Sequence, residues 1–106
     1  MPKITVRVPH QLEPAIAFAK VQPALEKTVA DFQGHDLIVE GDATAANFTF
    51  KSLAFTIKGR TEARPGEVVV EIDLPFAAMM FKDKAERAVT KNVARALGGD
   101  SAPRSG

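Results

Sequence analysis

Apolar and polar residues alternate near the start of the chain, where Ile4, Val6 and Val8 interleave with Lys3, Thr5 and Arg7. A period of two puts each set on its own face of a strand, so this segment predicts a strand with one buried face, ended by Pro9. The spacing then lengthens to that of a helix. Phe18, Val21, Leu25, Val29 and Phe32 share one helical stripe, introduced by Glu13-Pro14 and stopped by Gln33-Gly34. Proline suits the first helical position, and an acidic residue suits the positive end of the helix dipole. Pro23 is the flaw in the stripe: it removes the backbone bond to Ala19, and so predicts a kink or a helix that begins late.

Alternation returns at Leu37 and Val39 and runs to Gly41-Asp42, with His35 and Asp36 read as part of the preceding turn. Phe48 and Phe50 alternate with Thr49 and Lys51; after a turn or bulge near Ser52-Leu53-Ala54, Phe55, Ile57 and Gly59 alternate with Thr56, Lys58 and Arg60. Arg64-Pro65-Gly66-Glu67 has turn chemistry, and the strand beyond it sets Val68, Val70, Ile72 and Leu74 on one face before Pro75. Phe76 to Phe81 is an apolar connector. Asp83 and Glu86 have the spacing of a capping box and predict a second helix starting there, with Ala85, Ala88, Val89, Val93, Ala96 and Leu97 as its apolar side and Gly98-Gly99 as its stop.

The order β-α-β-β-β-β-α, with one apolar sheet face, predicts an α+β two-layer sandwich: a mostly antiparallel sheet packed by two helices. TATA-binding-protein-like and small helix-grip folds are the nearest architectural analogies. Residues 1–99 are expected to form a single domain, with 100–106 as a flexible C-terminal tail. Isolated Gly41 and Gly59 make no phosphate loop and predict a bulge or close packing instead.

Composition narrows the chemistry. The 106 residues are 45% hydrophobic and 25% charged with a net charge of +1, an ordinary globular balance that argues against strong bulk attraction to nucleic acid or an anionic membrane. With no cysteine there is no disulfide, thiol nucleophile or thiolate metal site. The N-terminal segment lacks the apolar region of a signal peptide and no window has the length of a membrane span, so a cytoplasmic protein is expected.

The two histidines, His10 after a strand and His35 before one, lack the spacing of a helical metal pair, and the serines lack a nucleophile elbow. No catalytic residue, cofactor site or metal site is assigned. The enzyme alternative would need Glu40, Asp42, Glu71 and Asp73 brought together across neighbouring strands, or His10 in a cavity, to process a small acyl compound.

Two surfaces stand out. Phe76, Met79, Met80 and Phe81 either close the core at a sheet-to-helix corner or form an apolar contact surface, for which adaptable methionines are suited. Lys84, Arg87, Lys91 and Arg95 recur on one side of the last helix and make either a solvated face or an anion contact, too weakly cationic overall for sequence-specific nucleic acid recognition. A cavity between the sheet and this helix, with Phe76, Met79 and Phe81 near its mouth, would bind a small apolar acyl ligand.

Several of these residues carry a family resemblance. Ile4-x-Val6-x-Val8-Pro9-His10-x-Leu12, Gly41-Asp42 before Phe48-x-Phe50, then Gly59, and Val70-x-Ile72-x-Leu74-Pro75-Phe76 followed by Phe81-Lys82 and Glu86 resemble the polyhydroxyalkanoic acid system family, small bacterial proteins associated with polyester granules. The resemblance covers nearly the whole chain except the tail. It implies a non-enzymatic accessory or regulatory role in polyhydroxyalkanoate metabolism, with the granule surface or granule proteins as partners and no catalytic residues to carry over.

Overall fold

The computed structural model describes residues 3–53 and 55–98; the expected C-terminal tail and Gly99 lie outside the described residues. In chain order the elements are β1 (Lys3–Pro9), α1 (Pro14–Asp31), β2 (Gly34–Gly41), β3 (Ala45–Ser52), β4 (Phe55–Arg64), β5 (Glu67–Asp73), a 3-10 segment (Phe76–Phe81) and α2 (Lys82–Ala96). The five strands form one antiparallel sheet in the order β1-β5-β4-β3-β2. The first strand therefore pairs with the last, Val6 facing Val70, and the chain closes on itself through the widest sequence separation in the sheet.

The inner sheet face is supplied by every second residue: Ile4, Val6 and Val8; Ala46, Phe48 and Phe50; Ile57 and Ala63; Val68, Val70 and Ile72, all buried. Onto it pack Ala17, Phe18, Val21, Leu25 and Val29 of α1 and Ala85, Val89 and Val93 of α2. The result is the α+β two-layer arrangement expected from the pattern. Gly59 is required by close packing: a Cβ there would lie 2.3 Å from the Phe48 ring, which covers the glycine from the directly opposite position on β3.

Four local expectations change. Helix α1 runs unbroken from Pro14 through Pro23 and does not begin late. Pro23 and Ala19 both lie on the outer side of the helix, where water can reach the carbonyl that the missing amide would have paired. The helix ends at Asp31, and the chain turns out of it through Gln33, which is itself in the left-handed region at φ 57°, one residue before the glycine.

Strand β2 begins at Gly34, so His35 is a strand residue opposite Lys51. A bulge follows it, centred on Asp36 at φ 57°, and it shifts the register before Ile38. The shift leaves Leu37 half-buried against the core and Val39 exposed.

Asp83 does not cap α2. The 3-10 segment passes directly into the helix, the Lys82 N–H donating to the Met79 carbonyl, so the first-turn amides follow a preceding helical turn and Asp83 sits inside the helix. Finally, Phe76 to Phe81 does not close the core as a unit: Ala78 is buried and Phe81 half-buried, while Phe76, Met79 and Met80 are 73%, 44% and 81% exposed.

Candidate apolar contact site

The segment after β5 places its large side chains outward for a geometric reason. Pro75 holds the extended conformation at the strand end, and the Ala78 N–H then donates to the Pro75 carbonyl at 2.9 Å, winding the chain into a 3-10 turn. Ala78 is the residue that faces inward, and its small side chain lets the turn lie against Leu74 and Ala85 beside the core. Phe76 and Met80 are left on the outer side.

Behind this turn, between the sheet and α2, lies a cavity of about 220 Å³. Phe50, Phe55, Ile57, Ile72 and Leu74 form its sheet wall, Ala85 and Val89 its helix wall, and Ala78 and Phe81 its 3-10 side. Phe32, Asp31 and Gln33 from the end of α1 complete the rim with Lys84, whose Nζ stands 5.7 Å from the centre of the Phe32 ring. That cation–π contact brackets the mouth from α2 to α1. Ser52, also in the lining, has its hydroxyl committed to the Phe32 carbonyl at 2.6 Å. Of the residues expected at the mouth, Phe81 lines the cavity; Phe76 and Met79 do not.

Lys84, Arg87, Lys91 and Arg95 are all exposed on α2. Lys84, Arg87 and Lys91 enter none of the ion pairs formed among the described residues.

The acidic residues are not brought together. Glu40 and Asp42 belong to the β2 end of the sheet and Glu71 and Asp73 to β5, with β3 and β4 between them. Three strand spacings put these groups about 14 Å apart. Asp73 instead pairs with Lys3 at 3.9 Å, and Glu71 faces Thr5 and Arg60 across the neighbouring strands. Asp42 closes the β2–β3 turn: its carboxylate accepts from the Thr44 N–H at 2.9 Å and the Ala45 N–H at 3.0 Å, which hold its pKa below the usual value.

His10 is likewise committed. The Leu12 N–H donates to Nδ1 at 3.0 Å, which fixes the neutral tautomer whose Nε2–H donates to the Arg64 carbonyl at 2.8 Å. Its backbone N–H donates to the Gly66 carbonyl at 3.0 Å, tying the corner before α1 to the β4–β5 turn. His35 is exposed on β2, its Nε2 3.9 Å from Asp36. Among the described residues no three His, Asp or Glu side chains converge in a metal-binding group.

Sequence reasoning missed one polar contact that shapes the site. Asn92 is buried within the apolar side of α2, and its Nδ2 donates to Thr28 Oγ1 at 2.8 Å and to Asp31 Oδ2 at 3.4 Å. This tie between the helices fixes one side of the cavity rim. It also draws the Asp31 pKa below its ordinary value, with Lys27 and Lys91 adding to the effect. The available signal is position: Asn92 follows Ala85 by seven residues and Val89 by three, within the buried stripe.

Comparison with known proteins agrees with the motif reading. The family model described as "Putative polyhydroxyalkanoic acid system protein" matches residues 4–97. No curated protein matches the chain. Among solved structures, Ara h 8.0201 aligns at 13% identity over 92% of this chain and 98% of its own, with a TM-score of 0.46. A second, the TTHA0849 protein from Thermus thermophilus, aligns at 11% identity over 92% of this chain and 93% of its own, with a TM-score of 0.42.

Proposed function

From the premise that this chain belongs to the polyhydroxyalkanoic acid system family, we propose that it is a cytoplasmic, non-enzymatic accessory protein of polyhydroxyalkanoate metabolism that seats on the polyester granule through its 3-10 corner. The observation carrying this reading is the outward presentation of Phe76, Met79 and Met80, three large apolar side chains clustered on one short turn. Scattered apolar residues on a surface are ordinary; clustered ones favour contact with an apolar partner. The separation of the acidic residues and the internal hydrogen bonds of His10 support an accessory rather than a catalytic role.

Fractionation of the source cells under polyester-accumulating conditions tests the proposal. The chain is expected in the granule fraction, with granule number or polymer yield altered on its deletion. Absence from granules together with unchanged granules after deletion would refute it.

The cavity favours a second reading, binding of a small acyl compound. At about 220 Å³ it exceeds the roughly 150 Å³ that suffices for benzene in an engineered apolar cavity, and Lys84 at its rim suits a carboxylate. Native mass spectrometry of the purified protein is expected to retain an acyl carboxylate. Failure to retain any across a chain-length series would remove this reading and leave the first intact.

A further inference from the structure

The 3-10 segment and α2 form one uninterrupted helical path, and a succession of exposed side chains follows it. Lys84, Arg87 and Lys91 follow one another at intervals of three and four residues on one side of α2, and the exposed Phe76 and Met80 precede them on the 3-10 turn, where residues three rather than four apart eclipse. Polarity changes along this succession. Its first two members are a phenylalanine and a methionine that are 73% and 81% exposed, and the next three are exposed cations outside the ion pairs of the described residues. Asp83 and Glu86 both fall on one flank of these cations, leaving the other flank free of acidic residues of α2.

We infer that this succession is a docking surface for an anionic phospholipid layer, with Phe76 and Met80 entering the acyl boundary and Lys84, Arg87 and Lys91 meeting the headgroups. The inference rests on the reading that the 3-10 corner is a contact surface, and it specifies what the corner contacts. The order of chemistry favours this partner: an apolar tip followed by cations matches an interface that is apolar inside and negatively charged at its rim. A bare polyester surface has no fixed charge for the cations to meet. A nucleic acid would engage the cations and leave Phe76 and Met80 unused. With a net charge of +1 the chain has little long-range attraction, so binding depends on these local groups and on salt.

Co-sedimentation of the full chain with vesicles of phosphatidylcholine alone, or of phosphatidylcholine mixed with phosphatidylglycerol, tests the inference. Binding is expected only to the mixed vesicles, falling as salt rises. Arg87→Glu combined with Lys91→Glu should weaken it about tenfold or more, since each basic residue near such a surface contributes about 1 kcal/mol. Phe76→Ser combined with Met80→Ser should weaken it as well, with circular dichroism confirming that both variants fold.

Equal binding to neutral vesicles, no binding to either, or indifference to either pair of substitutions would overturn the inference. So would equal binding to duplex DNA that persists in the Phe76→Ser, Met80→Ser variant, since a polyanion contact alone would explain it. Lipid-free polyester particles separate the two readings. Adsorption to these particles without vesicle binding overturns the lipid inference and leaves the granule proposal standing; selective vesicle binding by a chain absent from native granules does the reverse.

Discussion

Both helices leave the sheet through a proline, α1 after Val8-Pro9-His10 and α2 after Leu74-Pro75-Phe76. The corners sit at opposite ends of a strand pair, since Pro9 faces Glu67 and Lys3 faces Asp73 across the β1–β5 ladder. At the first corner a buried imidazole joins the turn to two other segments, its ring bonding Leu12 and Arg64 and its backbone bonding Gly66. At the second, the backbone satisfies itself: a 3-10 turn supplies its own carbonyls and leads directly into α2. A strand-to-helix corner must pair its amides, and the means it uses decides where its side chains go. When a side chain does the pairing it is drawn inward, and when the backbone does so the side chains are free to face a partner.

The largest expected effect is at the first corner. Replacing His10 with alanine removes both ring hydrogen bonds and leaves the Leu12 N–H and the Arg64 carbonyl without their partners, a loss of about 3 kcal/mol at roughly 1–3 kcal/mol for each unsatisfied group. Urea denaturation measures it. His10→Asn, whose side chain can accept from Leu12 but is too short for Arg64, should fall between wild type and alanine. A loss below about 1 kcal/mol for His10→Ala would mean that the imidazole is not what holds this corner.

A smaller loss is expected where the two helices meet beyond their corners. Asn92→Ala removes the donor shared by Thr28 and Asp31 and should destabilise the fold by about 1–2 kcal/mol. Thr28 Oγ1 keeps its own bond to the Ala24 carbonyl at 2.9 Å, so the change does not strand that hydroxyl and stays below the effect at His10. Equal losses at the two sites would erase the distinction between a corner locked by a side chain and a tie between finished helices.

The same contact predicts a pH signature. Hydrogen bonding from Asn92, reinforced by Lys27 and Lys91, lowers the folded-state pKa of Asp31 from its ordinary 3.8. A depressed carboxyl pKa contributes stability that is fully present above the unfolded value and disappears as pH falls through the folded one. Acid titration of stability should therefore be shallower below pH 3.8 for Asn92→Ala than for the parent chain. An unchanged slope would show that the lysines, rather than Asn92, set the titration of Asp31.

The sequence discloses these features unevenly, for physical reasons. Five strands and two helices follow from periodicity because burying one face imposes a period of two or of 3.6 on each segment separately. Gly66 and Gly98 lie at the expected turn and helix stop with φ of 90° and 85°. What periodicity cannot carry is a bond to a distant residue. The Asp83–Glu86 spacing looks like a helix start because the handover from the 3-10 turn depends on backbone geometry after Pro75, not on side-chain type. Asn92 looks like any polar helix residue because Thr28 and Asp31 stand more than sixty positions earlier. The apolar run from Phe76 to Phe81 is legible as unusual, but its exposure depends on which residue the turn directs inward, and only Ala78 is fully buried.

The smallest expected effect on stability is at the second corner, and it tests the comparison most directly. Phe76 and Met80 follow the proline as His10 does, yet they are 73% and 81% exposed, and the hydrogen bonds that shape the turn are made by its backbone. Substituting both with serine removes little buried surface and no hydrogen bond, so the urea midpoint should move by no more than about 0.5 kcal/mol in equivalent free energy. Serine also forms a 3-10 turn without proline's or glycine's special constraints, so the handover into α2 should survive. A measured loss above about 1 kcal/mol would show that these side chains pack onto the fold in solution, making the second corner a locked one like the first. Small loss in Phe76→Ser, Met80→Ser beside large loss in His10→Ala would establish that similar proline exits serve opposite ends, one closing the fold and the other presenting a surface.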